Sequence, residues 1–166
     1  GSGSHVAGLA FEAATGIKLQ YVPYRGTGPA MNDLVAGQID LIIDQTSNSI
    51  GQVRAGNIRA YAITDSKRVE SASDIPTVDE AGLSGFHMTL WSGLWVPKDT
   101  PKEIVAKLNT AAVDALNDPA VRKQLENLGL QMPPKDKLTP EALGAWQKAE
   151  IAKWWPMIKA ANVKVD

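Results

Sequence analysis

Strand-like and helix-like patterns alternate from residue 17 to residue 64. A chain patterned in this way is confined to βαβ units and a largely parallel sheet. Ile17-Lys18-Leu19-Gln20-Tyr21-Val22 alternates apolar and polar side chains, the period of a half-buried strand. Gly26-Thr27-Gly28-Pro29 interrupts it, and Pro29 suits the first position of a helix, where its missing N–H costs nothing. Ala30, Met31, Leu34 and Val35 form a helical stripe that Gly37 ends in the left-handed conformation. Ile39 to Ile43 is nearly all apolar, as befits a strand buried on both faces. Thr46-Ser47-Asn48 opens a second short helix with Ile50 and Val53 inward and Gly56 at its end. Ile58 to Thr64 is the next expected strand.

The stretch from Asp65 to Gly85 is polar and reads as a surface connection. Within it, Thr77-Val78-Asp79-Glu80 has the form of a capping box and predicts a helix start. Thr89 to Val96 is a further apolar strand, carrying Trp91 and Trp95. Three helices are then expected, opening at Thr100-Pro101-Lys102-Glu103, at Asp118-Pro119 and at Thr139-Pro140; the second ends at Gly129. The pattern divides near residue 88, with an α/β lobe over 1–88 and a helix-rich segment over 89–166. One strand is too little to cover the apolar stripes of three helices, so the second part reads as a piece of a domain whose other strands lie elsewhere.

Charge and composition remove whole classes of function. The 166 residues carry 17 Lys and Arg against 18 Asp and Glu, so no basic excess exists to neutralise nucleic-acid phosphates. Runs such as Leu41-Ile42-Ile43 are far shorter than the ~20 apolar residues a membrane span requires. With no cysteine there are no disulfides, thiol nucleophiles or thiolate metal sites. The two histidines, His5 and His87, are too few and too far apart for zinc, and no Gly-x-Ser-x-Gly elbow is present for a hydrolase triad. Asp40 and Asp44 share one face of an expected strand, but Asp40 reads as a solvated strand-start residue rather than half of an acid–base pair. No catalytic residue, metal or cofactor is expected. Gly26-Thr27-Gly28 looks like the opening of a dinucleotide fingerprint, which leaves the nucleotide-binding lobe of an α/β enzyme as the alternative. Met31, standing where the third glycine should be, weighs against it.

Five blocks of sequence, in order, carry a family resemblance. Val22-Pro23-Tyr24-Arg25-Gly26-Thr27-Gly28-Pro29-Ala30 with Asp33-Leu34-Val35-Ala36-Gly37-Gln38-Ile39-Asp40 resembles the signature of the tripartite tricarboxylate transporter (TctC, or Bug) solute-binding proteins. Ala55-Gly56-Asn57-Ile58-Arg59-Ala60, Ile75-Pro76-Thr77-Val78-Asp79-Glu80-Ala81-Gly82 and the run from Trp91 to Pro101 resemble further blocks of that family. The resemblance implies a type II periplasmic-binding-protein fold and a periplasmic location. It implies capture of a small organic carboxylate between two lobes and delivery to membrane permease subunits. Family members are about twice this long, so the chain is expected to be the complete second lobe plus the C-terminal part of the first, truncated at its N-terminus. Gly1-Ser2-Gly3-Ser4 is either the family's Gly-Ser-x-Ser-His opening or a cloning scar.

The resemblance and the pattern together nominate ligand-holding residues. Gly3, Ser4 and His5 stand before the stripe Val6, Leu9, Ala10 and Phe11, at a helix start whose free N–H groups and dipole favour a carboxylate. Ser4 can equally serve as the N-cap, and His5 as a packing residue. Tyr24, Gly26 and Gly28 end one expected strand, and Asp44 and Gln45 end the next, at the carboxyl edge where open α/β sheets bind ligands. Asp44 can instead cap the Thr46–Ser49 turn. Trp91 lies where the family's chain crosses between lobes and either lines the cleft or packs the hinge. Two further expectations concern the helix-rich part. Pro156 should kink or break the last helix between about 152 and 156. Uncovered helix stripes should drive self-association of the chain, the alternative being that the helices fold back onto its own α/β lobe.

Overall fold

The computed structural model describes residues 1–163. Its α-helices are α1 (Gly3–Thr15), α2 (Thr27–Val35), α3 (Thr46–Arg54), α4 (Lys102–Asn117), α5 (Pro119–Asn127) and α6 (Pro140–Ala160), with short 3-10 helices at Glu70–Ala72 and Lys135–Lys137. The helix signals in the sequence act through ordinary capping chemistry. Asp118 accepts from the N–H groups of Ala120 and Val121, and Thr139 from that of Ala142, each with proline in the first helical position. Gly37, Gly56 and Gly129 take positive φ just past α2, α3 and α5. At each, the glycine N–H and the next one bond back into the last turn, as Gly37 to Leu34 and Gln38 to Asp33 do after α2. Asn162 performs the same turn after α6 at φ 48°.

Two of these expectations shift in detail. α2 begins at Thr27, with Gly26 as N-cap at φ 112°, so Pro29 occupies the third helical position rather than the first. The Thr77–Glu80 capping box forms reciprocally, Thr77 N–H donating to Glu80 at 2.7 Å and Glu80 N–H to Thr77 Oγ1 at 3.2 Å. No helix propagates from it, because Gly82 and Gly85 both turn to positive φ within the next few residues.

The larger departure is in the strands. Among the described residues none of the segments 17–22, 39–43, 58–64 and 89–96 forms a ladder; a single parallel bridge joins Ile63 to Thr77. Beside it, Met88 N–H donates to the Thr64 carbonyl, so only the end of the 58–64 segment is paired. The 17–22 segment lies along α1 instead, held by side chains. Leu19 N–H and the Tyr21 hydroxyl both bond to Glu12 of α1, and the Tyr21 ring rests on Gly8, where a Cβ would come within 2.9 Å of it. Residues 89–96 are tied to α6 in the same manner, through Trp91 and Trp95. Leu41 is 44% exposed, so 39–43 is not a strand buried on both faces. Asp40 is exposed.

Two small cores result. One gathers Ala10, Val78 and Phe86, with Phe11, Met88 and, from α6, Trp154 and Met157 around them. The other joins Val69, Ala72 and Ile75 to Ile50 and Val53 of α3. α6 continues from Pro140 to Ala160 straight through Pro156, so the break expected between 152 and 156 does not occur. Trp154 and Met157 hold the turns on either side of the proline to the first core, and Asn162 closes the helix beyond it.

Candidate functional site

The start of α1 shows one change of assignment. Ser2, not Ser4, is the N-cap: its Oγ accepts from His5 N–H at 3.3 Å, and its carbonyl takes Val6 N–H. Gly3 and Ser4 therefore occupy the first two helical positions, where backbone N–H groups have no intrahelical acceptor. His5 lies with its ring 5.0 Å from that of Tyr21, which favours the packing role. Partial burial and the Glu12 carboxylate push the Tyr21 hydroxyl up to about 12, so it stays protonated and a donor at neutral pH.

Gly3 opens onto a cavity of about 430 Å³, shared with Leu90, Trp91, Trp95, Gln147, Glu150 and Trp154. Its missing side chain lets Leu90 pack close, since a Cβ would stand 2.5 Å from Leu90 Cδ2 and the leucine would have to shift. Trp91 and Trp154 both donate their indole N–H to Glu150 Oε2, at 3.3 and 3.0 Å, and Trp95 donates to Gln147 Oε1 at 3.4 Å. Trp91 thus joins the 89–96 segment to α6 and at the same time borders the cavity at the α1 start. Another cavity, about 360 Å³ between α4 and the Lys135–Lys137 turn, contains none of the nominated residues.

The remaining candidates sit at two other helix starts. Tyr24 donates its hydroxyl to Asp33 of α2 at 2.7 Å, a bond that raises its pKa and commits its proton to the protein. Gly26 and Gly28 frame the first turn of α2, with nothing within 4 Å of a Cβ built on either. Asp44 accepts from the side chains of α3, from Asn48 Nδ2 at 3.1 Å and Ser49 Oγ at 3.0 Å, and Gln45 is the N-cap residue of α3. Gly3 and Trp91 are the nominated pair that share a cavity; the Tyr24–Gly28 set and the Asp44–Gln45 pair lie outside it. Sequence reasoning misses Glu150, Leu90 and Trp154, because a glutamate inside a long amphipathic helix carries no mark that separates it from a solvated one.

Among the described residues no cluster of three or more His, Asp and Glu could hold a metal ion, and no helix is long and apolar enough to cross a membrane. Met31, 6% exposed, fills the space a dinucleotide fingerprint leaves for glycine.

Comparison with known proteins agrees with this architecture. The chain is 41% identical to the periplasmic binding protein BugD, with a TM-score of 0.87 over 97% of this chain and 54% of that one. It is 38% identical to MatC from Rhodopseudomonas palustris, determined with bound malate, with a TM-score of 0.87 over 93% of this chain and 53% of that one. A second R. palustris protein, determined with adipate, is 33% identical, with a TM-score of 0.88 over 98% of this chain and 53% of that one. The chain spans about half the length of most curated relatives it matches. The family and these solved neighbours are solute-binding proteins, not enzymes. The model of the tripartite tricarboxylate transporter family receptor matches residues 1–163, and the chain belongs to that family.

Proposed function

We propose that this chain supplies one α/β lobe, residues 1–88, and the C-terminal part of the other, residues 89–166, of a periplasmic protein that captures a small dicarboxylate and hands it to membrane permease subunits. One carboxylate lies against the start of α1. The observation that carries the reading is the first turn of α1, whose Gly3 borders, together with Trp91, a cavity of about 430 Å³, large enough for a small acid. Malate and adipate in two relatives of 38% and 33% identity support the ligand class. Tyr24, Gly26, Gly28, Asp44 and Gln45, at the starts of α2 and α3 and outside that cavity, are further ligand contacts in this reading, with Asp44 meeting a ligand hydroxyl directly or through water.

Calorimetry with malate and adipate on the two-lobe protein tests the assignment. Replacing Ser4 with leucine crowds the helix start, and affinity is expected to fall at least about tenfold, or about 1.4 kcal/mol. Unchanged affinity would remove the α1 start from the binding site.

A further inference from the structure

Two indole N–H groups converge on one oxygen. Trp91, from the 89–96 segment tied to α6, and Trp154, one turn along α6, both donate to Glu150 Oε2. Tryptophan can only donate, and a carboxylate is the stronger kind of acceptor, so Glu150 is chemically suited to hold both. The residue before Trp91 is Leu90, whose Cδ2 stands where a Cβ on Gly3 would come within 2.5 Å. The chain of contact runs from Glu150 through Trp91 and Leu90 to the first residue of α1. Among the described residues 89–96 belongs to no ladder, so backbone pairing does not fix the segment instead.

We propose that Glu150 is a positioning residue for the carboxylate site: by holding Trp91 it keeps Leu90 seated on Gly3 and fixes the wall beside the free N–H groups of Gly3 and Ser4. The proposal rests on the binding reading above. Both bonds end on one oxygen, so a single carbonyl oxygen suffices, and the negative charge, which opposes an anionic ligand, is dispensable.

The test uses the ¹⁵N-labelled chain and two variants, with malate as probe. In Glu150→Ala the indole N–H signals of Trp91 and Trp154 shift and lose protection from exchange together, while those of Trp146 and Trp155 hold. The Gly3 and Leu90 amide signals move with them, without ligand. In Glu150→Gln all four features stay as in the parent, and the response of the Gly3 and Ser4 amides to millimolar malate is retained or stronger. Should the alanine variant unfold, the glutamine variant still decides. The proposal is overturned if the alanine variant leaves Trp91 and the Gly3 amide unmoved, or if the glutamine variant releases them. If the parent's Gly3 and Ser4 amides ignore both malate and adipate, the binding reading fails for this chain, whereas the ligand-free signals still report whether Glu150 holds the wall.

Discussion

At Gly3 the absence of a side chain lets a neighbour from elsewhere in the chain pack close. Leu90 already occupies the volume that a side chain there would need, so Gly3→Val must displace it. Overpacking a closed core costs about 1–3 kcal/mol. Leu90 is 41% exposed and its side chain can partly swing aside, so a cost at the low end, about 1 kcal/mol, is expected as a lower urea midpoint with an unchanged slope. An unaltered midpoint would show that Leu90 moves freely. Charged residues act differently. Arg54 grips Asp74 with two guanidinium N–H groups at 2.8 and 2.7 Å, and Arg68 holds Glu80. These hydrogen bonds are the first cause of the lowered pKa of each carboxylate; for Asp79 it is the Gly85 N–H, followed by His87. A carboxylate whose folded pKa is depressed adds stability that is complete above its unfolded value and is lost as pH falls through the folded one. With unfolded values of 3.8 and 4.5, stability from these groups should be level near neutrality and decline in acid below them. Asp74→Asn should lower the neutral plateau and flatten the acid decline in a pH series of urea melts. An acid limb as steep as the parent's would contradict the Arg54–Asp74 contribution.

At the scale of elements, the helices are legible in the sequence and the strands are not, for one physical reason. A helix end is written locally, in Asp118-Pro119, Thr139-Pro140 and glycines such as Gly37 and Gly129, and the structure uses each as its sequence suggests. A strand depends on partners distant in sequence, which the pattern at 17–22 or 89–96 cannot name. Tyr21 and Trp91 accordingly rest on α1 and α6 through Glu12 and Glu150. The same limit governs the site: the α1 start is readable, but Glu150 gains its meaning only from two tryptophans brought to it by folding. Asp118→Ala should cost about 1 kcal/mol, since two N–H groups lose their acceptor; a urea midpoint equal to the parent's would contradict that capping role. Pro156 works in the opposite direction. It denies the Ala152 carbonyl its usual donor inside an otherwise continuous helix, so Pro156→Ala should raise stability by roughly 1–3 kcal/mol in chemical denaturation. A loss of stability on that change would mean that the proline ring is itself a packing element of the first core.

Among the described residues many large apolar side chains lie outside the two small cores. Among the described residues α4, α5 and α6 contain no buried one, and Leu94, Trp95, Trp146, Ile151 and Trp155 are each roughly half exposed or more. Soluble monomers rarely leave contiguous apolar patches beyond a few hundred Å². α6 relieves part of this by laying Trp154 and Met157 on the first core, yet its other aromatic residues remain outside. The proposed two-lobe protein, of which this chain matches about half, would cover that surface and supply the ligand's remaining contacts. Light scattering combined with malate calorimetry on the isolated chain tests this most directly. The expected result is a self-associating species that binds malate only in the millimolar range; a monodisperse monomer with micromolar affinity for malate would contradict it.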